Sequence, residues 1–259
     1  MTEFLPKKFL ALMLLVINVS LFSQNCGFLG TDIQGNSYST LKNEIIKVSA
    51  NNAGTFRISN KLLGDIHTID VRNPMRPILF YKDVQKMIIT DNTLSEQNQS
   101  VISFEELGMY QITCVASSKI DNGIWLYDQE LFQIVKVDQY LQKKIETGNL
   151  MQILNLKNLE PIKMIEANGY LYMQCINNGI LVFDIYGTYY KKIPIGDISN
   201  WNVQNNQIYY TTDEFAKSFN LQTLEITELV ILDKKHPIWI EKSMVYFCEG
   251  SKIIQQALK

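Results

Sequence analysis

Gly179 to Ile195 reads GILVFDIYGTYYKKIPI: an apolar run, an aspartate, a tight turn, and a second run rich in aromatic and β-branched residues. Such runs separated by Asp or Gly turns predict an antiparallel hairpin. Leu131 to Glu146 (LFQIVKVDQYLQKKIE) repeats it closely, and weaker copies start at Glu44 (EIIKVSANNAGTFRIS), Lys86 (KMIITDN) and Lys217 (KSFNLQTLEITELV). Their turn residues Asn51, Asp91, Asp138, Asp184 and Asn220 are spaced by 40, 47, 46 and 36 residues. The arms DNGIWLYD, NGYLYMQCINN, NNQIYYTT and SMVYFCEG add strands to these hairpins. A period of about 40 residues with four short strands per unit marks a propeller blade.

One four-stranded sheet cannot bury both faces, so copies stack around a common axis and share their apolar side chains. Six units are predicted, over 27–60, 65–107, 110–149, 161–196, 198–232 and 237–259. The expected fold is all-β, a six-bladed β-propeller of antiparallel four-stranded blades forming one domain over 24–259. Only Leu150–Leu159 suggests a helix, and then a single turn. The last unit is short of a fourth strand. An open ring leaves sheet edges unpaired, so an N-terminal strand is expected to complete the last blade. Cys26 and Cys248 would then stand in one sheet or in neighbouring blades, either as a disulfide or as two unlinked thiols. A bridge needs Cα atoms within about 7 Å. Cys114 and Cys175 read as buried strand thiols.

The composition agrees with a folded globular chain. The 259 residues are 46% hydrophobic with a mean hydropathy of -0.04, which excludes both disorder and a multi-span membrane protein. Twenty-four basic against 26 acidic residues give a net charge of -2, which argues against a nucleic-acid partner.

The N-terminus carries an address. Lys7 and Lys8 precede the apolar run Phe9 to Ile17, and Asn18, Ser20 and Ser23 follow, the layout of a secretory signal peptide over 1–23 cleaved near Ser23. The competing reading, a membrane anchor, needs about 20 apolar residues, and this run is about half that. A lipidated Cys26 is not expected, because Asn25 and Ser23 do not fit the lipoprotein pattern. The mature chain is therefore expected outside the inner membrane, in the periplasm or at the outer membrane or cell surface, with no integral membrane segment.

The segments DNGIWLYD, ILVFDIYGTYYKKIPI and NPMRPILFYKD resemble the small exported six-bladed propellers of Gram-negative bacteria, related in architecture to NHL and WD40-type repeats. The resemblance spans about residues 27–259 and implies a fold and an envelope location. It implies no established activity and carries over no catalytic residue. The Trp-Asp dipeptide and recurring Gly-His of WD40 repeats are missing, as is the tryptophan-docking repeat of quinoprotein propellers.

Candidate site residues are few. His67 and His236, with Asp65 in the strand parity of His67, could reach the axis and hold a cation. Against that reading, their blades are not adjacent and there is no third histidine. Asp83, Asp128, Glu130, Asp213, Glu214 and Glu249 fall in loops between the second and third strands of their blades, where they would form an acidic rim or serve only their own turns. Asp70–Asp83 (DVRNPMRPILFYKD) is the least repeat-like stretch and holds two of the three arginines, Arg72 and Arg76, with Pro74 and Pro77. Arginines on a rigid turn are suited to bind a carboxylate or phosphate, or else to pair with acidic neighbours. Trp201 and Trp239 are placed on innermost strands, either plugging or lining the channel. Phosphate loops, GxSxG and HExxH are missing.

These observations point to a non-catalytic binding or scaffold propeller of the cell envelope. Its expected contacts are Arg72, Arg76, Asp83, Asp128, Glu130, Trp201 and Asp213, its partners are envelope proteins, and it needs no cofactor. The alternatives are a lyase or hydrolase built on a channel-bound cation, and a receptor for a sugar or peptide over the axial opening.

Overall fold

The computed structural model describes residues 26–41, 43–51, 53–231, 238–241, 244–249 and 252–257. The expected signal peptide over 1–23 and His236 lie outside the described residues. Among those described, no helix is long and apolar enough to cross a membrane.

Six antiparallel sheets follow one another along the chain, and in each the spatial order of strands equals their order in sequence. Blades 1 to 5 have four strands and span 26–58, 68–103, 112–146, 161–193 and 200–231; blade 6 shows three, over 238–257. The innermost strands are Cys26–Thr31, Thr68–Asp70, Ile112–Ser117, Pro161–Ala167, Asn200–Gln204 and Ile238–Glu241. Residues of all six surround one axial cavity, and the first blade packs against the sixth, so the ring is closed. The chain is a six-bladed β-propeller. Cys26–Thr31 is the innermost strand of blade 1, because a short turn folds it locally onto Ser37–Leu41. The residues ahead of Cys26, from which a completing strand would come, lie outside the described residues.

Period-two alternation explains why the blades stack. In blade 3, Ile124 and Leu126 pack toward blade 2 with Phe80 and Met87, while Trp125 and Tyr127 pack toward blade 4 with Leu171, Met173 and Phe183. Tyr172 and Val182 then turn to the far side of blade 4 and meet Trp201 and Ile208 of blade 5. The middle strands of these blades are apolar on both faces because each face meets a neighbouring sheet.

The outer hairpins of blades 2, 3 and 4 share one turn. Oδ1 of Asp91, Asp138 and Asp184 accepts from the backbone N–H groups two and four residues on, at 2.8–2.9 Å in all six cases. The following αL position is filled by Leu94, Leu141 and Gly187. The turn thus needs its aspartate and one left-handed residue. The residue at the second position (Thr93, Tyr140, Tyr186) is set by neither requirement. The only α-helix among the described residues is the turn Leu150–Ile153, capped by Asn149, whose side chain accepts from the Gln152 N–H at 3.0 Å.

Candidate functional site

Antiparallel order puts the first–second and third–fourth strand turns of every blade on one face of the disc. The second–third turns and the connections between blades lie on the other. The two groups of residues singled out from the sequence therefore separate: Asp83, Glu130, Asp213 and Glu214 belong to the second–third turns, and the 71–77 connection carrying Arg72 and Arg76 emerges on the opposite face. No single loop face contains them all.

The acidic group is also uneven. Asp83, Glu130, Asp213 and Glu214 are exposed, and Asp213 accepts from the Ser199 hydroxyl at 3.4 Å. Asp128 is buried, and its Oδ1 accepts from the Glu130 N–H at 3.0 Å. Asp128 therefore builds a turn and offers nothing to a partner, a correction with a local cause: a short acceptor beside free N–H groups folds back on them. The Glu249 side chain lies outside the described residues.

The axial cavity, about 260 Å³, runs past His67 at one end to Arg72 at the other and is lined between them by Asp70, Lys163, Trp201 and Glu241. Its carboxylates hold blades together. Glu241 Oε2 accepts from the Thr31 N–H at 2.6 Å and Oε1 from Asn202 Nδ2 at 3.3 Å, joining blade 6 to blades 1 and 5. Asp70 Oδ2 accepts from the Ser117 N–H of blade 3 at 2.7 Å. Glu166, buried between blades 3 and 4, accepts from the Lys119 N–H at 2.8 Å and from Trp125 Nε1 at 2.6 Å.

Arg72 belongs to the same hub. Its Nε donates to Asp70 Oδ1 at 3.0 Å, its Nη2 pairs with Asp70 Oδ2, and its Nη1 reaches the Glu166 carbonyl at 3.4 Å. Burial alone would raise the Asp70 carboxyl, but the Arg72 guanidinium and the two backbone donors outweigh it and hold the group below its ordinary range. The expectation of a displayed Arg72 is corrected: a buried carboxylate two residues away captures it. Trp201 is corrected too. It is 0% exposed, donating from Nε1 to Gln174 Oε1 at 2.6 Å across the interface between blades 4 and 5, because the indole fills the space the sheets leave between them.

Two further axial groups are shifted. Burial, reinforced by Arg72, pushes the Lys163 ammonium down to about 8, with Glu241 and Asp70 opposing; its Nζ donates to the Trp201 carbonyl at 2.7 Å. Burial and Lys82 lower His67, and Asp83 partly offsets them. Among the described residues no three His, Cys, Asp or Glu side chains converge as metal ligands. Cys26 and Cys248 stand on strands of blades 1 and 6, and their side chains lie outside the described residues. Cys114 and Cys175 are free and buried in the core between blades 3 and 4.

Arg76 behaves differently from Arg72. It is half-buried, donates to the Asn122 carbonyl of blade 3, and has no ion pair among the described residues. It lies in a second cavity of about 480 Å³, a groove between blades 2 and 3 lined also by Asn73, Met75, Asn122 and Tyr140. Sequence reasoning found Arg76 and missed Tyr140. The available signal was positional: a tyrosine occupies the unconstrained place of the Asp138 turn.

No protein-family model matches the chain, and no curated protein matches it in sequence. Solved structures do resemble it in shape. A streptogramin B lyase superposes with a TM-score of 0.61 at 13% identity, over 92% of this chain and 84% of the other. The WD40 domain of Neurospora crassa Pan2 does so with a TM-score of 0.59 at 10% identity, over 90% and 75%. PorZ, a bacterial surface component of the type-IX secretion system of Porphyromonas gingivalis, gives 0.52 at 12% identity over 90% of this chain and 32% of PorZ. These likenesses establish the propeller fold. They span an enzyme, a WD40 domain and a secretion component, so the fold does not select an activity.

Proposed function

We propose that the chain is an exported, non-catalytic propeller of the bacterial cell envelope that binds other proteins through its loop faces. The observation that carries the reading is the use made of the axial charges. Asp70, Glu166 and Glu241 are each bonded to a neighbouring blade, and Arg72 is bonded to Asp70 and to the Glu166 carbonyl, so the charged groups at and beside the axis serve the ring. The loop faces, by contrast, expose Met75, Ile120, Tyr140 and Tyr186, more apolar surface than turns require. Export rests on the leader pattern of residues 1–23, and PorZ offers a precedent for a propeller at a bacterial surface.

The test is made in the source cell with the full chain carrying a C-terminal tag. N-terminal sequencing should find a chain starting near Gln24 in the envelope fraction, and in-cell crosslinking should join it to a partner. A chain that keeps residues 1–23 in the cytoplasm, or that forms no crosslink, removes the proposal.

A second reading has one specific observation behind it. Thr31 lines the axial cavity, and its hydroxyl is buried without a partner among the described residues. A small polar ligand such as a sugar at the axis would satisfy it. A thermal-shift series with monosaccharides decides: a ligand at 100 times its Kd stabilises by about 2.7 kcal/mol.

A further inference from the structure

We infer that the groove between blades 2 and 3 binds an acidic peptide segment of a partner protein, a carboxylate resting on Arg76 and its apolar neighbours on Met75 and Tyr140. The inference rests on the binding reading above and gives it a place and a chemistry.

The groove is built by two rigid turns. Asn73 Oδ1 accepts from the Met75 N–H at 3.1 Å and the Asn73 carbonyl accepts from the Arg76 N–H at 3.0 Å, with Pro74 and Pro77 restricting the chain on either side. Opposite stands the Asp138 turn, which projects Tyr140. Met75 and Tyr140 are 59% and 73% exposed. Rigid elements that display an aromatic, a thioether and an arginine make the composition of an interface hot spot at little entropic cost.

Charge complementarity selects the occupant. Three carboxylates adjoin groove residues: Asp121 pairs with Lys136 at 2.8 Å, Asp138 pairs with Lys144 at 3.1 Å, and Asp91, beside Thr90, accepts from the backbone N–H groups of its own turn. Arg76 is left as the cation without a counter-ion among the described residues, and burial disfavours its charge. A carboxylate can take two parallel hydrogen bonds from the guanidinium donors that the Asn122 carbonyl does not use. The apolar walls on both sides favour a carboxylate carried between aliphatic or aromatic residues over a free anion.

The full-length protein is screened against displayed random short peptides, and the best binder is made synthetically. The expected winners share one Asp, Glu or free C-terminus beside an aromatic or aliphatic residue. Affinity should fall at least about tenfold in Arg76→Gln and in the peptide whose acid is replaced by its amide, and should recover in part in Arg76→Lys. Tyr140→Ser should weaken binding with the melting temperature unchanged. No binder, winners without an acid, or equal binding by Arg76→Gln would overturn the inference. So would displacement of the peptide by inorganic phosphate or by anionic vesicles, or an Arg76-dependent dimer in sedimentation. Crosslinks to a partner that persist in Arg76→Gln would sink this site and leave the scaffold reading standing. Arg76-dependent peptide binding by a chain that stays in the cytoplasm would do the reverse.

Discussion

Arg72 and Arg76 sit four residues apart on one connection, and the two ends of that connection have opposite fates. The inner end enters the axis, where Asp70 and the Glu166 carbonyl take up the guanidinium. The outer end reaches the rim, where one backbone carbonyl is the partner of Arg76 and the walls are apolar side chains open to solvent. The same residue type is a fold element in one place and, in the proposal above, a recognition element in the other. What separates them is whether a buried carboxylate of the same blade lies within reach of the guanidinium.

The largest effect expected from this contrast is on stability. Arg72→Met leaves Asp70 buried without its cation, which should cost about 3 kcal/mol in urea unfolding, whereas Arg76→Met should stay within about 0.5 kcal/mol. Similar losses in the two variants would erase the distinction. Next comes Glu166→Ala, which strands the Trp125 indole N–H and the Lys119 amide; about 2 kcal/mol is expected from the same measurement.

The pH dependence sharpens the contrast at the axis. Asp70 has its folded carboxyl held below the ordinary 3.8, so its contribution is fully present above that value and is lost as pH falls through the folded one. Asp70→Asn should flatten the acid limb of the stability curve. His67 works at higher pH. Its folded value lies below 6.5, so the unfolded chain takes up the proton first and stability declines as pH drops below about 6.5. His67→Gln should remove that decline, seen as a melting temperature less dependent on pH between the two values. The smallest effect is expected at the rim. Tyr186→Ser should move the melting temperature by an amount within error, because the turn is made by the Asp184 carboxylate, the backbone N–H groups it accepts from and Gly187.

How much of this was legible beforehand depended on the range of the interaction. The strands Thr55–Ile58, Ile78–Tyr81 and Gln207–Thr211 follow from short runs rich in β-branched and aromatic residues, and the Asp91, Asp138 and Asp184 turns from a side chain folding onto its own backbone. The carboxylates of the hub were not legible. Glu166 and Glu241 look like the solvent-facing member of an alternating strand until the donors Trp125 and Thr31, from other blades, are brought to them. Trp201 failed for the same reason, its acceptor Gln174 being 27 residues away on another sheet. Asp128 failed through burial, which a turn pattern does not reveal.

By itself, then, the chain of letters determined a repeat, its six-fold count and the residues of its turns, because hydrophobic period and Asx geometry act over a few bonds. Only the tertiary structure decided which charges are shared between blades and which are left at the rim. Those outcomes depend on donors, acceptors and walls that meet only when the ring has closed, and the energy of a buried charge is set by the partners it meets there.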